Sequence, residues 1–325
     1  MKAVVLTGPN TWEVSEVPKP IPQKGQVLIK MAYSPINPSD LAFLTGEYGL
    51  KKGFPIVPGL EGSGVVEASG GGFMANRLKG KNVACSAPTT GNGTWAEYMV
   101  TEATKCVDLS PQVGLDQGAM LFVNPLTALA FSKKAKQHGA DLIVFSAAGS
   151  ALGQMLLYFA KLANIPVLGI VRSDKGKNAL ANSGYKSVIS SESTEYLKEV
   201  KDFAKAYKKA IFFDAVGGGS VPYQVLSALP ENSHMVTYGR LDRTPAAFEP
   251  QLILFNQNTI EGYWLSKEAQ KKSIWQILSD VKQVQKMLKS GFETQIQSEI
   301  NLENITEGLK QYASQMSAGK VLLKL

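Results

Sequence analysis

The sequence predicts an α/β protein in which a doubly wound parallel sheet follows a β-rich domain. Three observations carry this. Residues 1–120 contain short β-branched runs (Ala3–Leu6, Gln26–Met31, Gly64–Ala68, Asn82–Ala84) punctuated by Pro and Gly, and eight of the 16 prolines precede residue 60, which disfavours long helices there. From residue 124 onward, apolar runs alternate with segments of helical spacing. That alternation is the pattern of right-handed βαβ units and a parallel sheet.

Taken in order, 124–138 has helical spacing, and Asp141–Ser146 (DLIVFS) reads as a strand that runs through a small-residue turn into a helix over Ala151–Ala163. A strand over Pro166–Val171, a helix near Lys175–Ser183, a short strand (SVIS) and a helix near Glu195–Tyr207 follow. Ala210–Ala215, a helix near Val221–Leu229 and His234–Tyr238 continue the alternation. The strands are apolar almost throughout, as expected where helices cover both faces. Gln251–Tyr263 reads as a further β-rich stretch, with Gln251–Ile260 a candidate sheet edge; 266–290 reads as one amphipathic helix, and AGKVLLKL as a strand. The expected organisation is a catalytic domain over 1–123, a dinucleotide-binding domain over 124–264, and a segment over 265–325 returning to the first.

The composition, 44% hydrophobic and 19% charged in 325 residues, is that of a globular protein. No apolar run reaches the roughly 18 residues of a membrane span, and the N-terminus reads as a first strand rather than a secretory signal. Only two cysteines, Cys85 and Cys106, and two histidines, His138 and His234, are present. They form no disulfide framework and no zinc-ligand spacing, and their scarcity suits a cytoplasmic setting. The net charge of +7 is scattered apart from clusters such as KAYKK at 205–209, with no basic and aromatic stripe of the kind that binds nucleic acid.

The strand at 141–146 runs into Ala147-Ala148-Gly149-Ser150-Ala151-Leu152-Gly153. Small residues here let a backbone approach a pyrophosphate, and the amides of the following helix bind its charge, as in a Rossmann domain. The same turn would also serve as a tight packing turn. The second strand ends Val171-Arg172-Ser173-Asp174-Lys175. Arg172 suits the 2′-phosphate of NADPH, with Lys175 second, while Asp174 keeps NADH open. Gly217 and Tyr238 stand at the ends of later strands, where such sheets hold ligands; Asp214 reads as a packing residue.

Several stretches together resemble the medium-chain dehydrogenase/reductase superfamily. They are Asn37-Pro38-Ser39-Asp40, 55–64 (PIVPGLEGSG), Gly93-Thr94-Trp95-Ala96-Glu97-Tyr98, Asn124-Pro125-Leu126-Thr127-Ala128 and Asp214-Ala215-Val216-Gly217-Gly218. The resemblance implies a GroES-like catalytic domain and a Rossmann domain, with Thr127 joining the cofactor-binding residues. Zinc members carry Cys where this chain has Asn37 and His where it has Leu60, and neither residue here can ligate zinc. The resemblance is therefore to the zinc-free branch of quinone oxidoreductases and 2-enoyl thioester reductases. Gly46-Glu47-Tyr48-Gly49, Met235–Gly239 and Gly262-Tyr263-Trp264-Leu265-Ser266 are similar to the latter. It implies Tyr48 as proton donor, and a homodimer joined at a sheet edge. The glycine turn and Arg240 depart from the usual pattern.

Reducing an activated C=C requires a hydride at the β carbon, stabilisation of enolate charge and a proton at the α carbon. A phenol, with a pKa near about 10, stays protonated at neutral pH and can supply that proton. Tyr48 suits that role. Asn37 could orient Tyr48, the nicotinamide ribose or the substrate. Tyr263 and Trp264 could line a substrate pocket or pack in the core. The expected activity is NADPH-dependent reduction of an enoyl thioester or enone. The alternatives are NADPH:quinone reduction by the same fold and a nucleotide-dependent binding protein with little turnover.

Overall fold

The structure is a computed structural model that describes residues 1–273 and 275–325. The chain divides into two units, Met1–Asn124 with Leu278–Leu325, and Pro125–Ile277.

In the first unit, β1 (Lys2–Gly8) and β2 (Thr11–Glu16) form an antiparallel ribbon, followed by β3 (Gln26–Pro35), α1 (Pro38–Leu44) and β4 (Glu61–Ser69). Then come α2 (Phe73–Leu78), β5 (Asn82–Ser86), β6 (Tyr98–Glu102), β7 (Cys106–Asp108) and α3 (Leu115–Gly118). Helix α4 (Val123–His138) leads into the second unit, where β8 (Leu142–Ser146), α5 (Ala151–Leu162), β9 (Val167–Val171), α6 (Asp174–Asn182) and β10 (Val188–Ser190) follow. That unit continues with α7 (Tyr196–Ala204), β11 (Ala210–Asp214), α8 (Val221–Ser227), β12 (His234–Thr237), α9 (Pro250–Leu254), β13 (Thr259–Gly262) and α10 (Leu265–Gln270). Helix α11 (Ile274–Lys289), β14 (Ile296–Ile300), α12 (Ile305–Ser314) and β15 (Lys320–Lys324) complete the chain's elements.

The second unit holds a six-stranded, wholly parallel sheet in the order β10-β9-β8-β11-β12-β13. The order reverses between β8, the first of these six strands in the chain, and β11. Strands β8 and β11 are buried at every residue because helices cover both faces, which explains their unbroken apolar runs. The first unit holds a sheet in the order β14-β15-β3-β4-β5-β7, with β6 also paired to β3. Strand β15 inserts between β14 and β3, with Leu322 opposite Pro35. A core of Ala3, Leu6, Ile36, Trp95, Leu309 and Val321, among others, joins residues from both ends of the chain.

Two segments differ from the sequence expectation. Strand structure over Gln251–Tyr263 is confined to Thr259–Gly262; Pro250, at the first helical position, opens the short helix α9 instead. The single helix expected over 266–290 is broken at Ser273. Its hydroxyl accepts from Gln276 N (3.3 Å) while Gln276 Oε1 accepts from Ser273 N (2.8 Å), a reciprocal cap that starts a new helix.

Candidate functional site

The predicted cofactor residues of the second unit, Thr127 on α4 apart, lie at or just beyond the carboxyl ends of its strands. After β8, Ala147 adopts a left-handed φ of 54°, turning the chain towards α5. Ser150 caps that helix, its hydroxyl accepting from Gly153 N at 3.1 Å. The amides of Ala151 and Leu152, in the first turn, have no hydrogen-bond acceptor among the described residues. A Cβ on Gly149 would meet nothing within 4 Å, whereas one on Gly153 would lie 2.3 Å from Ala148 O. Gly149 thus fronts open space and Gly153 lets helix and strand close up. Open backbone facing free helical amides suits the pyrophosphate of a dinucleotide.

Arg172 and Lys175 are exposed at the end of β9, and Ser173 between them caps α6 through Gly176 N (3.3 Å). Asp174 occupies the first turn of that helix. At the end of β11, buried Asp214 accepts from Ser146 Oγ (3.0 Å), Val216 N (3.0 Å) and Gly217 N (2.9 Å), and Ser146 Oγ in turn accepts from Ala215 N (2.7 Å). Burial pushes the Asp214 carboxyl up and these donors pull it back. Its role is to fasten β8 to the turn after β11. Gly217 has φ 66°, and a Cβ there would stand 2.1 Å from Gly239 O, so the ends of β11 and β12 close backbone to backbone.

Thr127 is buried on α4. One turn later, Phe131 stacks on Phe213 (4.1 Å) and meets Tyr238 (4.8 Å) and Tyr263 (5.0 Å, edge-on). Burial raises the Tyr238 phenol, with the Asp214 charge adding to it. Tyr263, buried against Phe131, and half-buried Trp264 both line a cavity of about 360 Å³ with Thr237, Lys267 and Lys271.

In the first unit, Asn37 and Tyr48 flank α1. Asn37 is fully buried. Its backbone N–H donates to Asp40 Oδ2 (2.8 Å), its Nδ2 donates to Glu61 Oε1 (3.0 Å), and its Oδ1 accepts from the buried ammonium of Lys320. The amide side chain therefore faces the interior. Glu61 Oε2 accepts from Phe122 N and Val123 N, both at 2.9 Å, where α4 begins. Two carboxyls and one ammonium thus share a site closed to water. Burial, then the Glu61 charge, pushes Asp40 up to about 7, and burial pushes Lys320 down to about 8 against the pull of Glu61 and Asp40. Burial likewise raises Glu61, opposed first by Lys320. A proton on Asp40 would leave one carboxylate balancing one ammonium. Tyr48 is half-buried beyond the end of α1, packed against the core, with its N–H bonded to Ala42 O (3.1 Å).

Models of known families match both units: an alcohol dehydrogenase GroES-like domain at residues 23–111 and a zinc-binding dehydrogenase domain at 151–280. The mitochondrial enoyl-[acyl-carrier-protein] reductase of Arabidopsis thaliana is 30% identical over 275 residues, covering 82% of this chain and 69% of that protein. The chain belongs to the medium-chain dehydrogenase/reductase superfamily. It is an oxidoreductase. The Caenorhabditis elegans protein of the same name is 29% identical over 299 residues, 88% of this chain and 83% of that one. A Mesorhizobium loti protein solved as a candidate NADPH:quinone reductase shares 30% identity with a TM-score of 0.91, over 100% of this chain and 98% of that one. An enoyl thioester reductase from Candida tropicalis, in mutant form, shares the fold at 22% identity and a TM-score of 0.79, covering 100% of this chain and 99% of that one.

The zinc of other superfamily members does not fit these residues. Position 37 is an amide already bonded to an ammonium and position 60 is Leu. Among the described residues no group of three or more His, Cys, Asp or Glu is arranged to hold a metal ion, and no helix is long and apolar enough to cross a membrane.

Sequence reasoning missed Lys320, Glu61, Asp40 and Phe131. Asp40 and Glu61 had a signal, lying inside the motifs at 37–40 and 55–64. Lys320 opens an apolar strand and resembles the exposed Lys324 four residues on.

Proposed function

We propose that this oxidoreductase reduces an activated C=C bond, in an enoyl thioester or enone, with NADPH. The observation that carries the proposal is the match over most of the chain to reductases named for enoyl-[acyl-carrier-protein]. When bound, NADPH supplies the hydride. The Ala151 and Leu152 amides and the open side of Gly149 receive its pyrophosphate. Arg172, with Lys175, pairs with the 2′-phosphate and favours NADPH over NADH. Thr127, Ser150, Gly217 and Tyr238 frame the rest of the cofactor, and Tyr263 and Trp264 the substrate. The Tyr48 hydroxyl hydrogen-bonds the developing enolate and delivers the α proton. Asn37 acts one step removed, fixing the start of α1 through Lys320 and Glu61.

Quinone reduction is the second reading, supported by the likeness to the Mesorhizobium loti protein. The two differ in their need for an acid. Purified protein is assayed for NADPH oxidation with crotonyl-CoA and with a naphthoquinone. Tyr48→Phe should slow the first reaction far more than the second. Equal loss, or none, would remove Tyr48 from the mechanism.

The partner beyond substrate is a second copy of the chain. Strand β13 ends its sheet and is largely exposed, with Ile260 39%, Leu254 62% and Phe255 74% accessible around it. A free apolar edge of this kind is a pairing surface. Sedimentation showing a monomer at micromolar concentration would refute this. Two free cysteines fit a reducing compartment such as the cytoplasm.

A further inference from the structure

Lys52 is partly buried, and no carboxylate pairs with it among the described residues. Its ammonium donates to Pro88 O (3.0 Å) and Gly91 O (2.7 Å), and the nearest charge acting on it is another cation, Lys105. Burial first, then Lys105, pushes its pKa down to about 8. Lys105 has its own partners on the same side, Thr89 Oγ1 (3.2 Å) and Glu102 (3.1 Å). Partly withdrawing an ammonium from water to bond carbonyls costs desolvation, which the geometry it fixes can offset.

What it fixes is the segment that carries Tyr48. Residues 46–55 have no regular structure, beginning with Gly46 at φ 76°. One end is anchored to α1, where Glu47 N and Tyr48 N both donate to Ala42 O (3.0 and 3.1 Å). The other end is held to residues 88–93. Lys52 makes the first two bonds, and Asn92 Oδ1 accepts from Val57 N (3.0 Å) while Gly93 N donates to Val57 O (2.8 Å). Between Tyr48 and Val57, Lys52 is the residue whose side chain ties this segment to residues 88–91. A lysine suits the task, since a long stem with three rotatable donors can bridge two carbonyls that a turn leaves unpaired.

We propose that Lys52 is a positioning residue that sets where the Tyr48 hydroxyl stands. This rests on the reading of Tyr48 as proton donor. A general acid must lie within hydrogen-bond reach of the atom it protonates, so loosening its segment slows proton delivery without weakening a cofactor held elsewhere in the chain.

The test is a double-mutant cycle on the full-length enzyme with Lys52→Met, Tyr48→Phe and the double variant, assayed with crotonyl-CoA and with a naphthoquinone. Lys52→Met should lower kcat for crotonyl-CoA roughly tenfold or more. The KM for NADPH and the quinone rate should stay within about twofold, and Lys52→Arg should recover part of the loss. In the Tyr48→Phe background, Lys52→Met should cost little further, because both changes remove the same contribution. Additive losses, or equal losses on both substrates, would overturn the proposal and leave Tyr48 in place. If Tyr48→Phe itself is harmless, the proton-donor reading fails and the role of Lys52 fails with it. Should Lys52→Met not fold, Lys52→Arg and Lys52→Gln serve in the same cycle, and a fully active Lys52→Gln would overturn the proposal.

Discussion

The ammonium of Lys320 donates to the side-chain oxygen of Asn37, 283 residues earlier in the chain, and both side chains are closed to solvent. The same amide donates to Glu61, so one short chain of polar groups joins the start of α1, the start of β4 and strand β15. Removing one partner of a buried pair leaves the other charge uncompensated, which costs about 3–5 kcal/mol. Lys320→Met should therefore lower the urea midpoint markedly at pH 7. A midpoint near wild type would show that the cluster contributes no net stability.

The same cluster sets a pH dependence. Asp40 titrates near about 7 in the folded protein, against a usual carboxyl near 3.8. Its folded pKa is raised, so between those values the folded state holds a proton that the unfolded state has released. Its contribution is complete below the unfolded pKa and is lost as pH rises towards about 7. Stability should fall with pH across that window, and Asp40→Asn, which keeps an acceptor for the Asn37 N–H, should flatten the slope. An unchanged slope would assign the dependence to other groups.

Gly149 and Gly153 stand four residues apart in one turn and should fail differently. A Cβ on Gly153 meets the Ala148 carbonyl at 2.3 Å, so Gly153→Ala should lower the melting temperature. A Cβ on Gly149 meets no protein atom within 4 Å, so Gly149→Val should melt near wild type while raising the KM for NADPH at least about tenfold, by occupying the space for pyrophosphate. Equal effects of the two changes on melting and on KM would argue against a dinucleotide at this turn.

Arg172 tests cofactor choice. Losing a guanidinium that binds a phosphate removes a charge-assisted contact of about 1.5–3 kcal/mol, or roughly tenfold to hundredfold. Arg172→Ala should raise the KM for NADPH by that factor and leave the KM for NADH alone. A parallel rise in both would move the 2′-phosphate away from β9.

Cys85 and Cys106 lie opposite one another on β5 and β7, yet both should be inert. Burial pushes the Cys106 thiol up to about 12 and the Cys85 thiol well above the usual range. Since thiolate is the reactive form, the native protein at pH 8 should release little colour from a disulfide reagent, and two equivalents after denaturation. Rapid native reaction would indicate local opening at β7.

Much of the second unit is legible because its physics is local. Strands buried on both faces read as apolar runs, and β8, β9, β11 and β12 fall within a residue or two of those runs. The turn at Ala147–Gly153 announces itself by small residues between a strand and a helix. What fails depends on partners far away or on single caps. Leu252, Ile253 and Leu254 are apolar enough for a strand, but Pro250 makes them helical. The polar surroundings of Asn37 stay invisible because nothing in AGKVLLKL distinguishes Lys320, drawn inward beside Asn37, from Lys324, which reaches solvent. The pairing of β15 with β3 sets Lys324 opposite Tyr33 and leaves Lys320 ahead of that register, bonded to Asn37.

That pairing also governs the timetable of synthesis. Residues 26–35 leave the ribosome well before residues 320–324, the strand that pairs with Tyr33–Pro35 of β3. The parallel sheet of the second unit draws only on residues 142–262, so it can mature while the Tyr33–Pro35 end of β3 still lacks β15. That end of nascent β3 must wait with open hydrogen-bonding groups, a hazard that chaperones exist to contain. A truncation that deletes the final strand should accordingly yield an insoluble product.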